Sequence, residues 1–185
     1  MYWSVTGDTA IRRARLDGTE STTLLTDTSG FQPVGLVVSR DGLDASRSRI
    51  YWWNTGGQLW SASLTDGSGI TQVRAMAATM RRGAFAPEES QFYAVGGTEV
   101  RLASADGASE SGLNSAGTNL VDLDFFGSDQ LLLSDSTNNE IVQLRRNGTE
   151  RLVFSSGATP GGLAYDATSG QIYSCNLSED RIELF

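Results

Sequence analysis

The sequence predicts an all-β fold, a β-propeller of four-stranded antiparallel blades, and three markers recurring in register predict it. The first is an aromatic strand: M-Y-W-S-V from Met1, I-Y-W-W-N from Ile50, F-Y-A-V-G from Phe92, L-L-L-S-D from Leu131 and I-Y-S-C-N from Ile172. Their second positions, Tyr2, Tyr51, Tyr93, Leu132 and Tyr173, are 49, 42, 39 and 41 residues apart. The second marker is a turn dipeptide, Asp17-Gly18, Asp66-Gly67, Asp106-Gly107 and Asn147-Gly148, spaced 49, 40 and 41. Asp-Gly and Asn-Gly tolerate the positive φ of a tight hairpin turn. The third is a segment ahead of four aromatic strands: Q-P-V-G-L from Gln32, M-R-R-G-A-F from Met80, N-L-V-D-L from Asn119 and T-P-G-G-L-A-Y-D from Thr159. A unit of this period cannot bury both its faces alone, and stacks radially on copies of itself.

Within each repeat the four strands follow in order. The first comes after the Pro or Gly turn, as in Gly162 to Tyr165, and the second is the aromatic strand. The third ends at the Asp-Gly turn, and the fourth is apolar, as in Glu150 to Phe154. No segment sustains helical periodicity, and the longest helix-compatible stretch, Gln72 to Arg82, contains β-branched residues and ends on a strand signal. The reading is a single domain over 1–185, with repeats at approximately 1–49, 50–91, 92–130, 131–171 and 172–185. That is about four and a half blades. The chain opens on a second strand and closes on a third, so the first blade lacks an inner strand and the last an outer one. This predicts part of a longer propeller, or open edges covered by another protein or a further chain, since bare edges invite adventitious pairing.

Composition excludes several function classes. The 14 cations are all arginine, with 22 carboxylates and no histidine, for a net charge of −8. A nucleic-acid or anionic-membrane binder needs the opposite footprint. Without His or Lys there is no Ser-His-Asp or Cys-His pair, no Schiff base and no P-loop lysine. The single cysteine, Cys175, permits neither an internal disulfide nor a thiolate zinc site, and reads as a small buried side chain. No apolar run approaches the roughly 18 residues of a membrane span.

The run I-Y-W-W-N, followed by Asp66-Gly67, resembles the YWTD repeat of lipoprotein-receptor-type six-bladed propellers. L-S-D-S-T-N-N-E-I-V-Q-L from Leu133 and C-N-L-S-E-D-R-I-E-L-F from Cys175 are similar to the related NHL repeat. The resemblance spans the whole chain and implies six blades. It also implies that the fourth position of the motif, an Asp in that family, ties neighbouring blades together. Here that position is Val5, Asn54, Gly96, Asp135 and Asn176, so Asn54, Asp135 and Asn176 are the expected interblade residues. The family is mostly extracellular or luminal, which implies the same placement here.

Candidate sites follow from the same frame. Trp3, Trp52, Trp53 and Trp60 with the repeated tyrosines could form a stacking platform, but their register suits packing between blades. Asp122 and Asp124 alternate along an inner strand and share a face, so both could offer oxygens to a divalent cation such as Ca2+. Gluconolactonase-like propellers hold such an ion with Glu, Asp and Asn oxygens; pairing with Arg82 or Arg101 is the alternative. Phe31 and the adjacent Arg81 and Arg82 lie in loops of the kind propellers use for recognition, and are residue types enriched at hot spots. Arg12, Arg13, Arg15, Arg145 and Arg146 fall at one repeated blade position and read as an exposed third-strand face. Two N-glycosylation sequons occur, at Asn147 in a turn and at Asn176 in the motif position, and Asn147 is the accessible one. No constellation for acid-base catalysis stands out. The expected function is a non-catalytic protein-binding or assembly module. The alternatives are a metal-dependent hydrolase or lactonase, and a structural subunit of a filament or large complex.

Overall fold

The computed structural model describes all residues except 6, 27–31, 114–116, 150 and 156–158. Among the described residues, eighteen strands form five antiparallel sheets. Blade 1 comprises β1 (Tyr2–Ser4), β2 (Ile11–Arg13) and β3 (Thr22–Leu25). Blade 2 comprises β4 (Pro33–Ser39), β5 (Arg49–Asn54), β6 (Gln58–Ser63) and β7 (Thr71–Ala75). Blade 3 comprises β8 (Arg82–Ala86), β9 (Gln91–Gly96), β10 (Glu99–Ser104) and β11 (Glu110–Gly112). Blade 4 comprises β12 (Leu120–Phe126), β13 (Gln130–Asp135), β14 (Glu140–Arg145) and β15 (Leu152–Ser155). Blade 5 comprises β16 (Pro160–Asp166), β17 (Gln171–Asn176) and β18 (Arg181–Leu184). The helix-compatible stretch becomes β7 and the approach to β8, and helical structure among the described residues is one 3-10 turn at Ala45–Arg47, capped by Asp44.

The expected count of about four and a half blades out of six is therefore corrected to five blades. The physical reason is an offset of one strand between sequence repeat and sheet. The inner strand of each sheet precedes the aromatic strand that marks the repeat, so the final segment 172–185 pairs with β16, from the repeat before it. The terminal sheets have three strands and the middle three have four.

The blades follow one another in chain order, with β4 against β1 and β8, and β12 against β8 and β16. Alternation along each aromatic strand supplies one face to each neighbour. Ile50 and Trp52 point back to Ile11, Leu24 and Leu25 of blade 1. Trp53 and Leu59 point forward to Phe92, Ala94 and Met80 of blade 3. Tyr93, Val95 and Val100 meet Leu131, Leu133 and Val142, and Leu132 with Ile141 meets Ile172. The tryptophans Trp52 and Trp53 are fully buried in these layers, as packing rather than as a platform. The Asp-Gly turns nest into the layers too: a Cβ on Gly67 would strike the carbonyl of Leu24, and one on Gly107 that of Val73, each on the outer strand of the preceding blade. Both glycines also have φ of +74°, so backbone sterics and close approach demand the same residue.

Arg146 departs from its expected exposure. Its side chain is 9% exposed, with the guanidinium 4.3 Å from the Phe125 ring and Nη1 paired to Glu88 Oε1 at 2.9 Å and Glu89 Oε1 at 2.8 Å. It clamps blade 4 to the β8–β9 turn of blade 3. The forward face of blade 5 has no sheet against it among the described residues. Ala164, Tyr173, Cys175, Ile182 and Leu184 share that face and are exposed, Ile182 at 70%. Cys175 is accordingly exposed rather than buried, because alternation points it to the side where no further blade packs.

Candidate functional site

On the inner strand β12, Asp122 and Asp124 spend their oxygens on backbone. Asp122 Oδ2 accepts from the Leu163 N–H at 2.8 Å and Oδ1 from Leu123 at 2.9 Å. Asp124 Oδ2 accepts from Tyr165 at 2.8 Å and Oδ1 from Phe125 at 2.8 Å. Leu163 and Tyr165 lie on β16, whose inner edge has no strand partner among the described residues, so the two carboxylates cap an edge that would otherwise be left open. Their alternation follows from the alternation of free N–H groups along that edge. Among the described residues no cluster of three or more His, Cys, Asp or Glu converges in a metal-binding arrangement. Burial raises the Asp122 pKa; the bonds from Leu163 and Leu123 and the charge of Arg82 offset this only in part. A carboxyl whose folded pKa is raised stabilises the fold below its unfolded pKa and loses that contribution as pH rises through the folded value. Asp122→Asn removes the buried charge but turns an amide NH2 toward one of the two N–H donors, so it is expected to cost no more than about 1 kcal/mol at pH 7 in urea unfolding. A large loss at pH 7 would mean that the charge itself is needed.

The closing residues of the aromatic strands divide into three behaviours. Asn54 Oδ1 accepts from the N–H groups of Gly56 and Gln58, and Asn176 Oδ1 from those of Ser178 and Glu179, so each braces the hairpin of its own blade. Asp135, fully buried, does that with Thr137 and Asn138 and also accepts from the N–H groups of Thr118 and Asn119 at 2.6 and 3.2 Å. Those two residues belong to the connection from blade 3 to blade 4, so among the described residues Asp135 is seen to tie an interblade connection, while the connections beside Asn54 and Asn176 include residues outside those described. Gly96 has no side chain to offer, and the blade 2–3 connection lies so close over it that a Cβ would strike the carbonyl of Thr79.

Beside Gly96 is an open cleft of about 480 Å³ lined by Ala78, Thr79, Arg81, Gly96, Gly97, Thr98 and Glu99. Arg81 is exposed, and no hydrogen bond or ion pair engages its side chain among the described residues. Arg82 is likewise exposed; its charge acts on Asp122 across the inner strands. The structure therefore brings the two arginines to the same blade 2–3 connection. Phe31 lies outside the described residues. Most other guanidinium groups are committed to carboxylates, as in Arg74 to Glu110 at 3.1 Å and Arg101 to Glu99 at 2.7 Å. Asn147 is exposed, with Oδ1 accepting from the Thr149 N–H and hydroxyl at 3.0 and 2.6 Å, while Asn176 is buried with its Nδ2 bonded to Glu179 and Glu183. The sequence pointed to Arg81 and Arg82 but missed the cleft. Its one signal was Gly96, a glycine where the motif of the resembling family has an Asp.

Fold and site define a β-propeller with a polar loop face. A chain in a crystal structure of a nidogen/laminin complex has a similar fold, with a TM-score of 0.82 and 20% identity over 100% of this chain and 72% of its own. A structural genomics protein of unknown function from Bacteroides thetaiotaomicron VPI-5482 matches at a TM-score of 0.71 and 16% identity, over 95% of this chain and 49% of that one. The computationally designed Ika4 protein matches at 0.60 and 10% identity, over 84% and 91%. These likenesses establish the fold. No protein-family model matches the sequence, and no curated protein matches it.

Proposed function

We propose that this propeller is a non-catalytic protein-binding module that presents the blade 2–3 connection to a partner. The observation that carries the reading is the pair Arg81 and Arg82, both exposed on one connection of a protein with net charge −8. A solvated arginine costs little, but two adjacent ones whose side chains make no hydrogen bond or ion pair among the described residues, beside an open cleft, are poised for charge-assisted bonds to another chain. The nidogen/laminin complex offers a similar propeller in a protein assembly, and extracellular placement and glycosylation of the exposed Asn147 fit the same reading. The uncovered apolar face of blade 5 favours, as a second reading, an assembly role in which another protein or further chain covers Tyr173, Ile182 and Leu184.

The test is partner capture from the native source, quantified for the wild type and for the double variant Arg81→Gln, Arg82→Gln. Both side chains are exposed, so the variant should keep its melting temperature while affinity falls by about tenfold or more, as expected for hot-spot arginines. Unchanged affinity would remove this connection from the interface.

A further inference from the structure

We propose that the cleft beside Gly96 binds a carboxylate from an Asp or Glu side chain of the partner, through the backbone donors and the guanidinium that line it. The inference rests on the partner-binding reading of this face and names the chemistry it recognises. The blades can be superposed in register at this point. The residue after the closing position donates to the connection's carbonyl in three blades: Thr55 to Gln32, Ser136 to Asn119 and Leu177 to Thr159, at 3.1, 3.1 and 2.9 Å. The equivalent pair by register in blade 3 is Gly97 and Thr79; among the described residues they make no such bond, and the Thr79 carbonyl lies over Gly96 instead. Leu120, opposite Asp135, then corresponds to Met80, and both are fully buried. Thr118 and Asn119 therefore correspond to Ala78 and Thr79.

In blade 4 the N–H groups of Thr118 and Asn119 both donate to Asp135. In blade 3 the carboxylate position is Gly96, and among the described residues nothing accepts from the N–H of Ala78 or Thr79. Both residues line the open cleft. The next residue along the inner strand also changes: Val121 in blade 4 becomes Arg81 in blade 3, whose N–H bonds to the Val95 carbonyl at 2.8 Å and whose guanidinium has no partner among the described residues. At these two register positions blade 4 has Asp135 and Val121, and blade 3 has Gly96 and Arg81. Glu99, the acid in the cleft wall, is paired with Arg101 at 2.7 Å, and no ion pair joins it to Arg81 among the described residues. Two uncapped backbone donors with an adjacent free guanidinium match the acceptor geometry of a carboxylate.

The experiment titrates the 15N-labelled protein with the peptide acetyl-Gly-Asp-Gly-amide and follows the amide resonances of Ala78, Thr79 and Gly97. The expected result is saturable downfield shifts at Ala78 and Thr79, absent with the Asn peptide. Arg81→Gln should weaken binding by about tenfold, the loss expected for a charge-assisted contact, while Arg47→Gln, at an exposed arginine on the 3-10 turn of blade 2 and outside the cleft, leaves it unchanged. Shifts that do not saturate, an equal response to the Asn peptide, or equal binding of inorganic phosphate would overturn the proposal. If the peptide fails while the double arginine variant still loses its partner, the binding reading stands and this inference falls; the converse result separates them the other way.

Discussion

Trp53→Ala is expected to lower unfolding free energy by about 3–5 kcal/mol, a large part of the 5–15 kcal/mol typical of a domain. Trp53 is fully buried between blades 2 and 3. Its ring meets Phe92 edge-on at 6.1 Å and lies over Gly83, where a Cβ would sit 2.6 Å from Trp53 Cη2. The glycine and the indole are thus fitted to each other, and neither blade can close the cavity without moving its inner strand. Trp3, half-buried on the rear face of blade 1, has no sheet against that face among the described residues. Trp3→Ala should cost about 1 kcal/mol or less, since there is little cavity to create. Denaturant midpoints for the two variants check the contrast. Equal losses would mean that the layers between blades do not carry the stability.

The second large effect is at Asp135. Its carboxylate accepts from the N–H groups of Thr118, Asn119, Thr137 and Asn138 and from the Thr118 hydroxyl and the Asn138 amide. Asp135→Ala leaves these donors unpaired and should cost about 2–4 kcal/mol. Burial raises the Asp135 pKa, but the bonds from Thr118, Asn138 and Thr137 outweigh it and the net shift is downward. A carboxyl with a lowered folded pKa contributes stability that is present above its unfolded value and disappears as pH falls through the folded value. The difference between wild type and Asp135→Asn should therefore be largest near neutrality and shrink below pH 3.8. Asp122, shifted upward, should show the opposite slope. Parallel pH profiles for the two positions would contradict the assignment of both.

Much of the architecture was legible because repeat register is a collective signal. The Tyr and Trp positions, the Asp-Gly turns and the missing inner and outer strands of the terminal blades all follow from three spacings. Blade count was not legible in the same way, because the sequence marker falls on the second strand and the sheet begins one strand earlier. The candidate site was partly legible. Adjacent arginines at 81 and 82 mark the connection, but whether a guanidinium is free depends on where distant carboxylates fall. Glu88 and Glu89 reach Arg146 from 58 and 57 residues away, and no local pattern announces that. Asp122 and Asp124 have the alternation of a cation site, and the structure shows them accepting from the Leu163 and Tyr165 N–H groups on the edge of β16, contacts that the sequence alone does not announce.

The most direct test of the binding account is amide hydrogen exchange of the protein with its captured partner. The account predicts protection on binding over 78–82 and 96–99, the blade 2–3 connection and the hairpin across the cleft from it. Protection confined to β17 and β18, with 78–82 unchanged, would contradict it and make the uncovered face of blade 5 the interface.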